Sequence, residues 1–254
     1  MLSKKVILIA GACGRIGLAL SKMALKYNAT VVLADINEKR LAELSKEFKD
    51  FKDKTAFVVL DSTSKKSINE AFESTKNSFG QVDAFVNATY PLAKIKTKPY
   101  YELEYEEICA QLNIHLGSFI LASQEAVKFF KKQGYGNIIN LSSIMGSFAP
   151  KFENYKNTNM QSSLEYSVIK AGINHLGVWL AKELFNTNIR VNTVVSGGIL
   201  DKQNENFLQA YRACCASKGM LEADDVCGLI VFLLSDLSLY IRGQSLVVDD
   251  GWSL

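Results

Sequence analysis

Val6-Ile7-Leu8-Ile9-Ala10-Gly11-Ala12-Cys13-Gly14-Arg15-Ile16-Gly17 is the stretch on which the fold turns. Five apolar residues in a row, bounded by glycine, suit a short strand buried on both faces. Gly11, Gly14 and Gly17 then let the backbone turn tightly and approach a bound group closely. A helical pattern opens at Ile16, and the free N–H groups of a helix start favour a phosphate there. Gly11, Gly14, Arg15, Ile16 and Gly17 are therefore the candidate phosphate-binding residues. Arg15 has two readings, one on the phosphate and one on the helix surface.

Outward from this stretch, short β-branched runs alternate with longer segments of helical period, the pattern of repeated βαβ units. The strands are read at 6–10, 30–34, 55–60, 84–87, 137–141, 190–195 and 245–248. Helices are read at 16–27, 38–48, 65–79, 106–132, 164–185 and 223–234. Seven strands and six helices predict one α/β domain over residues 1–254, a Rossmann-like doubly wound fold with a seven-stranded parallel sheet flanked by helices. No repeat, low-complexity tract or Pro/Gly-rich linker divides the chain, and its three prolines all fall in predicted loops. Residues 146–163 and 196–220 read as irregular. Both follow strand ends, where ligands of open parallel sheets bind, so both are expected to be substrate loops.

Composition narrows the function. A chain of 254 residues with 48% hydrophobic and 22% charged residues and a net charge of +3 is ordinary for a globular protein. That charge is too small to point to nucleic acid or an acidic membrane, which leaves small-molecule chemistry. Met1 to Ala10 imitates a leader peptide but runs directly into the glycine turn, so it is read as a strand. No apolar run approaches the ~18 residues of a membrane span, and a cytoplasmic protein is expected. The five cysteines lack zinc-like spacing and are read as free thiols. His115 and His175 lie in apolar helical stretches and are read as core or capping residues. No metal site is expected.

Asp35 ends the second strand about 20 residues after the glycine turn, where a carboxylate accepts both adenosine ribose hydroxyls and repels a 2′-phosphate. NAD(H) is thus expected over NADP(H). The chemistry itself is read at Tyr166-Ser167-Val168-Ile169-Lys170. Residues four apart share a helix face, so the Lys170 ammonium can sit beside the Tyr166 phenol. Bringing a phenol near working pH takes about 3 to 4 kcal/mol. An exposed ion pair is worth at most ~1 kcal/mol. A desolvated lysine helped by a second positive charge, such as an oxidised nicotinamide ring, supplies more.

With these residues in place the chain resembles the short-chain dehydrogenase/reductase family, in its compact class, over essentially its whole length. Further matching landmarks are Asp61, Asn87-Ala88, Asn113, Asn140-Leu141-Ser142-Ser143, Arg190-Val191-Asn192, Ser196-Gly197-Gly198-Ile199 and Val248-Asp249-Asp250-Gly251. The resemblance implies a catalytic tetrad of Asn113, Ser143, Tyr166 and Lys170. In it Tyr166 exchanges a proton with the substrate oxygen, Ser143 steadies that oxygen, Lys170 lowers the phenol pKa and binds the nicotinamide ribose, and Asn113 holds a water relay. Ser143 is preferred to Ser142 because it fills the family's Ser-x-x-Gly pattern, which ends here at Gly146. The resemblance also implies that Asp61, Asn87, Gly197 and Ile199, with Tyr166 and Lys170, border the dinucleotide. A homo-oligomer, a dimer or tetramer through the helices at 106–132 and 164–185, is expected as well.

Several positions depart from the family pattern. The Gly-x-x-Gly-x-x-Gly turn is closer to the extended members. Thr89 stands where Asn-Ala-Gly has glycine, Ser196 replaces a loop proline, and Asp201 replaces a threonine near the nicotinamide amide. The interval from Ser143 to Tyr166 is longer than usual, and its Lys151, Phe152, Tyr155, Lys156, Asn157 and Asn159 are expected to border the substrate. Aromatic and amide side chains suit a sugar-like ligand. Lys94, Lys96 and Lys98 suggest that the ligand is anionic, against the plainer reading of a solvated lysine run. The turn and the insertion bear a weaker likeness to oxidoreductases of bacterial flagellin and surface-glycan sugar pathways. The leading expectation is an NAD(H)-dependent oxidoreductase interconverting a secondary alcohol and a ketone. A catalytically retired dinucleotide-binding module and an NAD-retaining sugar epimerase or dehydratase are the alternatives.

Overall fold

The structure is a computed structural model that describes residues 1–91 and 98–254. Val6–Ala10 forms β1, and the glycine turn feeds α1, Arg15–Lys26. Then follow β2 (Thr30–Asp35), α2 (Glu38–Glu47), β3 (Thr55–Val59), α3 (Lys65–Phe79) and β4 (Ala84–Asn87). The second half holds α4 (Tyr105–Leu112), α5 (Ser118–Gln133), β5 (Tyr135–Ser143), α6 (Leu164–Glu183) and β6 (Asn188–Ser196). It closes with α7 (Glu205–Arg212), α8 (Ala223–Leu234) and β7 (Ser245–Val248). All strand pairs are parallel, in the order β3-β2-β1-β4-β5-β6-β7. The fold is the doubly wound α/β sheet that the sequence predicts, with its order reversing between β1 and β4.

Two apolar layers explain why the strands read as unbroken hydrophobic runs. Ile7 and Ile9 pack with Leu20 of α1, Leu41 of α2 and Ile230 of α8. Leu8 and Ala10 pack on the other face with Phe72 of α3, Phe129 of α5 and Leu180 of α6. Side chains alternate between faces along a strand, and helices cover both faces, so every position in β1 is buried. Among the described residues no helix is long and apolar enough to cross a membrane.

Two elements differ from the sequence reading. The helix expected over 106–132 is broken by a π-helical segment, Asn113–Gly117, between α4 and α5. One extra residue enters that turn, so the 3.6-residue period does not carry across it; such segments recur at functional sites. In the second difference, α7 lies inside the stretch read as irregular. It is a short amphipathic helix, capped by the Asn204 side chain and burying Phe207 and Tyr211.

Gly17 shows how tightly the glycine turn is built. An ideal Cβ there would stand 2.2 Å from the Gly11 carbonyl oxygen and 2.8 Å from the Ala12 Cα, both backbone atoms. At Gly14 the nearest such atom is 3.2 Å away. Gly17→Ala is therefore expected to cost about 2 kcal/mol or more, read as a lowered Tm, while Gly14→Ala costs much less. Equal melting of the two variants would mean that the turn yields freely.

Candidate active site

The end of β5 and the first turns of α6 are stitched together, and this sets the catalytic geometry. Gly146 follows β5, and an ideal Cβ on it would lie 2.4 Å from the Lys170 carbonyl carbon. Only glycine lets this turn press against α6. Ser142 Oγ donates to the Lys170 carbonyl at 3.0 Å, and Lys170 Nζ donates to the Leu141 carbonyl at 3.3 Å. The Ser163 hydroxyl caps α6 by accepting from the Tyr166 N–H at 3.2 Å. Lys170 Nζ then lies 5.5 Å from the Tyr166 ring centroid. Ser143 and Tyr166 border the same cavity. Three of the four predicted catalytic residues thus converge, and the Ser142 hydroxyl is committed to the backbone.

Burial acts on the pair in opposite directions. It raises the Tyr166 phenol above its ordinary value, opposed by the nearby Ser143 hydroxyl, with Tyr90 and Tyr155 adding to the rise. It pushes the Lys170 ammonium down to about 8. Lys170 bonds to Leu141 and not to the phenol, so within the protein alone it does not acidify Tyr166 as the helical spacing suggests.

Asn113 is not brought into this group. It opens the π segment and is exposed, with its Oδ1 3.3 Å from the Cβ that Gly117 lacks. The inward position is taken two residues on by His115. His115 is buried, and its ring centroid lies 4.8 Å from that of Tyr90. Burial lowers its pKa first, and the Lys170 charge lowers it further. The expected core histidine therefore sits in the wall of the candidate site. The extra residue of the π turn is the physical reason, and nothing in the helical period signalled it.

Two cavities meet at Tyr166. One, of about 280 Å³, is lined by Tyr90, Gln111, His115, Tyr155, Tyr166 and Lys170 among others. The other, of about 150 Å³, is bordered by Ser143, Tyr155, Tyr166, Phe207, Tyr211 and Trp252 among others. Of the insertion residues singled out, Tyr155 borders both cavities. Lys151 instead donates to the Trp252 carbonyl at 2.8 Å and lies 4.7 Å from its ring centroid. Phe152, Lys156, Asn157 and Asn159 are exposed. Asp250 accepts from the Ser217, Lys218 and Gly219 N–H groups and the Ser217 hydroxyl. These bonds hold its carboxyl down at about 2. The C-terminal turn thereby ties down both predicted substrate loops. Lys98 is ion-paired with Glu107 at 2.6 Å, and Lys94 and Lys96 lie outside the described residues.

The other end of the cleft suits a dinucleotide. Gly11 has φ +81°, and a Cβ there would meet the Ala88 carbonyl oxygen at 2.5 Å. No side chain caps the α1 N-terminus and no acidic residue occupies its first turn, so its N–H groups face the crevice uncapped. Ile16 is half-buried against the core. Asp35 accepts from the Cys13 N–H and from the Asn37 N–H, each at 3.0 Å. Burial and the Asp35 carboxylate push the Cys13 thiol up to about 12. Asp61 Oδ1 accepts from the Thr63 N–H and hydroxyl, and Asn87 Oδ1 accepts from those of Thr89. Gly197 is buried against Asp249, and Ile199 pairs with Leu221. Arg15 forms an ion pair with Asp201.

An alcohol-ketone chemistry needs donors converging on one oxygen beside a cleft for a hydride carrier, and both are in place. A family model described as enoyl-(acyl carrier protein) reductase matches residues 11–253. The chain belongs to the short-chain dehydrogenase/reductase family, whose members are NAD(P)-dependent oxidoreductases acting on CH–OH and C=O groups. It is 64% identical, over the whole of both chains, to the post-translational flagellin modification protein A of Campylobacter coli. It is 31% identical to a 3-oxoacyl-(acyl-carrier-protein) reductase of Thermotoga maritima, with 98% of each chain covered. Among solved structures it is similar to a short-chain dehydrogenase of Leptospira borgpetersenii with bound NAD+. That likeness has a TM-score of 0.82 and 29% identity over 100% of this chain and 94% of the other.

Proposed function

We propose that this protein is an NAD(H)-dependent oxidoreductase that interconverts a secondary alcohol and a ketone on a small, polar, sugar-type substrate. The observation that carries this reading is the convergence of Ser143 and Tyr166 where two cavities meet, with Lys170 buried behind them. Bound NAD(H) supplies the hydride acceptor or donor. Tyr166 Oη gives or takes the proton on the substrate oxygen, and Ser143 Oγ donates to that oxygen as charge develops. Lys170, with its proton held only to about pH 8, keeps positive charge close to the phenol at neutral pH.

Asp35 selects NAD(H), because its carboxylate at the end of β2 suits ribose hydroxyls and opposes a 2′-phosphate. Gly11, Gly14, Arg15, Ile16 and Gly17 hold the pyrophosphate, and Asp61, Asn87, Gly197 and Ile199 border the remainder. Tyr90 and Tyr155 border the cavities and offer aromatic faces for a sugar ring. The C. coli relative's part in flagellin modification fits a polar precursor of that kind. Tyr105, Ile120, Val168 and Trp179 are exposed on α4, α5 and α6, and a second copy covers them in a homo-oligomer.

The test is an NADH-oxidation assay with neutral and phosphorylated keto-sugars at low and high salt. Turnover of sugars well above that of apolar ketones is expected. A preference for phosphorylated sugars that fades with salt would add an anionic substrate. Preference for apolar ketones would overturn the sugar reading, and NADH binding without any turnover would favour a retired module.

A further inference from the structure

Two charged residues at opposite sides of the crevice, Arg15 with its two readings and Asp201, which departs from the family pattern, are brought together by the fold. Arg15 is the first residue of α1, beside β1, and Asp201 lies on the loop leaving β6. Strands β4 and β5 separate β1 from β6 in the sheet. The Arg15 Nη2 to Asp201 Oδ1 contact therefore straps across the strand ends where the sheet order reverses. That crevice is where an open α/β sheet takes its ligand.

Each residue alone is badly placed. A cation in the first turn of a helix opposes the helix dipole. A carboxylate within one side chain's reach of the α1 N-terminus repels any phosphate bound there. As a pair they compensate. Their side chains are 53% and 42% exposed, so the bridge by itself is a weak one. A third charge gives it leverage, because a guanidinium has five N–H donors and can serve a carboxylate and a phosphate together. The loop is preset for this role. The Gln203 Oε1 accepts from the Asp201 N–H at 2.6 Å, and Gln203 Nε2 donates to the Ile199 carbonyl at 2.9 Å.

We propose that Arg15 and Asp201 form a clasp over the dinucleotide, in which the Arg15 guanidinium is shared between Asp201 and the cofactor's pyrophosphate. Arg15 cancels the repulsion that Asp201 would exert and latches the loop leaving β6 over the bound cofactor. The inference rests on the NAD(H) reading above. It makes Arg15 a binding residue and Asp201 a positioning residue that acts through it.

The test is a double-mutant cycle read by NADH affinity and by the NADH release rate in stopped-flow fluorescence. Arg15→Ala leaves Asp201 unneutralised, and about tenfold weaker binding with faster release is expected. Asp201→Asn keeps the shape and removes the charge. In the Arg15→Ala background it should restore the part of the affinity lost to Asp201 repulsion, and salt should shrink the Arg15→Ala defect. Arg15→Ala binding NADH like the wild type, or a double variant no better than Arg15→Ala, would overturn the clasp while leaving the NAD(H) reading intact. Failure of the wild type to bind NADH would overturn that reading and the clasp with it. Both side chains lie at the surface, and unchanged melting in buffer without cofactor shows that the variants fold.

Discussion

Tyr166→Phe is expected to lower kcat by about a thousandfold, within the range of a lost general acid or base, while NADH affinity stays within about threefold of the wild type. The change removes one oxygen and keeps the ring. The ring's edge contact with Tyr90, centroids 6.2 Å apart, and its place beneath Lys170 Nζ survive. The Ser143 hydroxyl keeps its bond from the Met145 N–H at 3.3 Å. The loss therefore falls on proton exchange and not on the fold. Alcohol oxidation needs the phenolate, so its rate in the wild type should rise with pH. Ketone reduction needs the phenol, so its rate should fall as pH rises. Burial raises the phenol and lowers Lys170 to about 8, so the protein alone holds Tyr166 protonated at neutral pH. Any shift toward neutrality must come from charge that arrives with the cofactor. Paired pH–rate profiles of wild type and variant check this. A variant with wild-type kcat would move the proton chemistry to another residue.

Removing the Asp35 charge is expected to change cofactor choice more than turnover. Asp35→Asn should raise the NADPH-to-NADH ratio of kcat/KM by about 30-fold, close to 2 kcal/mol, and Asp35→Ala should raise it similarly with some loss of stability. The stability loss follows because the Cys13 and Asn37 N–H groups both donate to this carboxylate, and alanine leaves them without it. A second readout is independent of activity. The Asp35 charge helps hold the Cys13 thiol at about 12, so both variants should make Cys13 titrate lower and alkylate faster. Faster alkylation without a changed cofactor ratio would leave Asp35 a structural residue of the turn and remove it from the ribose.

The two halves of the candidate site were unequally legible. The β5–α6 half was readable because its instructions are local. Tyr166 and Lys170 share a helix face by spacing alone, and Ser-x-x-Gly places a glycine where the turn must touch α6. Asn113 was taken from the family pattern, and its side chain is exposed where it opens the π segment. His115 was hidden because it had only the signal of any histidine on an apolar helix face. α7 escaped because eight residues with two buried aromatics make a weak periodic signal, although the Asn204 cap was there to be read. Asp201 stood out as a departure and Arg15 as a residue with two readings, and their opposite charge was the available clue.

Taken by itself, the amino-acid order determined the alternation of strands and helices, the glycine turn and the family. Those properties follow from short-range pattern, since burial on two faces writes continuous apolar runs and backbone turns select glycine. Only the tertiary structure decided which charges meet across the cleft, that the C-terminal turn ties both loops, and that His115 rather than Asn113 faces Lys170. Such contacts join residues tens to hundreds of positions apart, and their geometry is set by how packed layers and one π turn orient side chains, which no local pattern encodes.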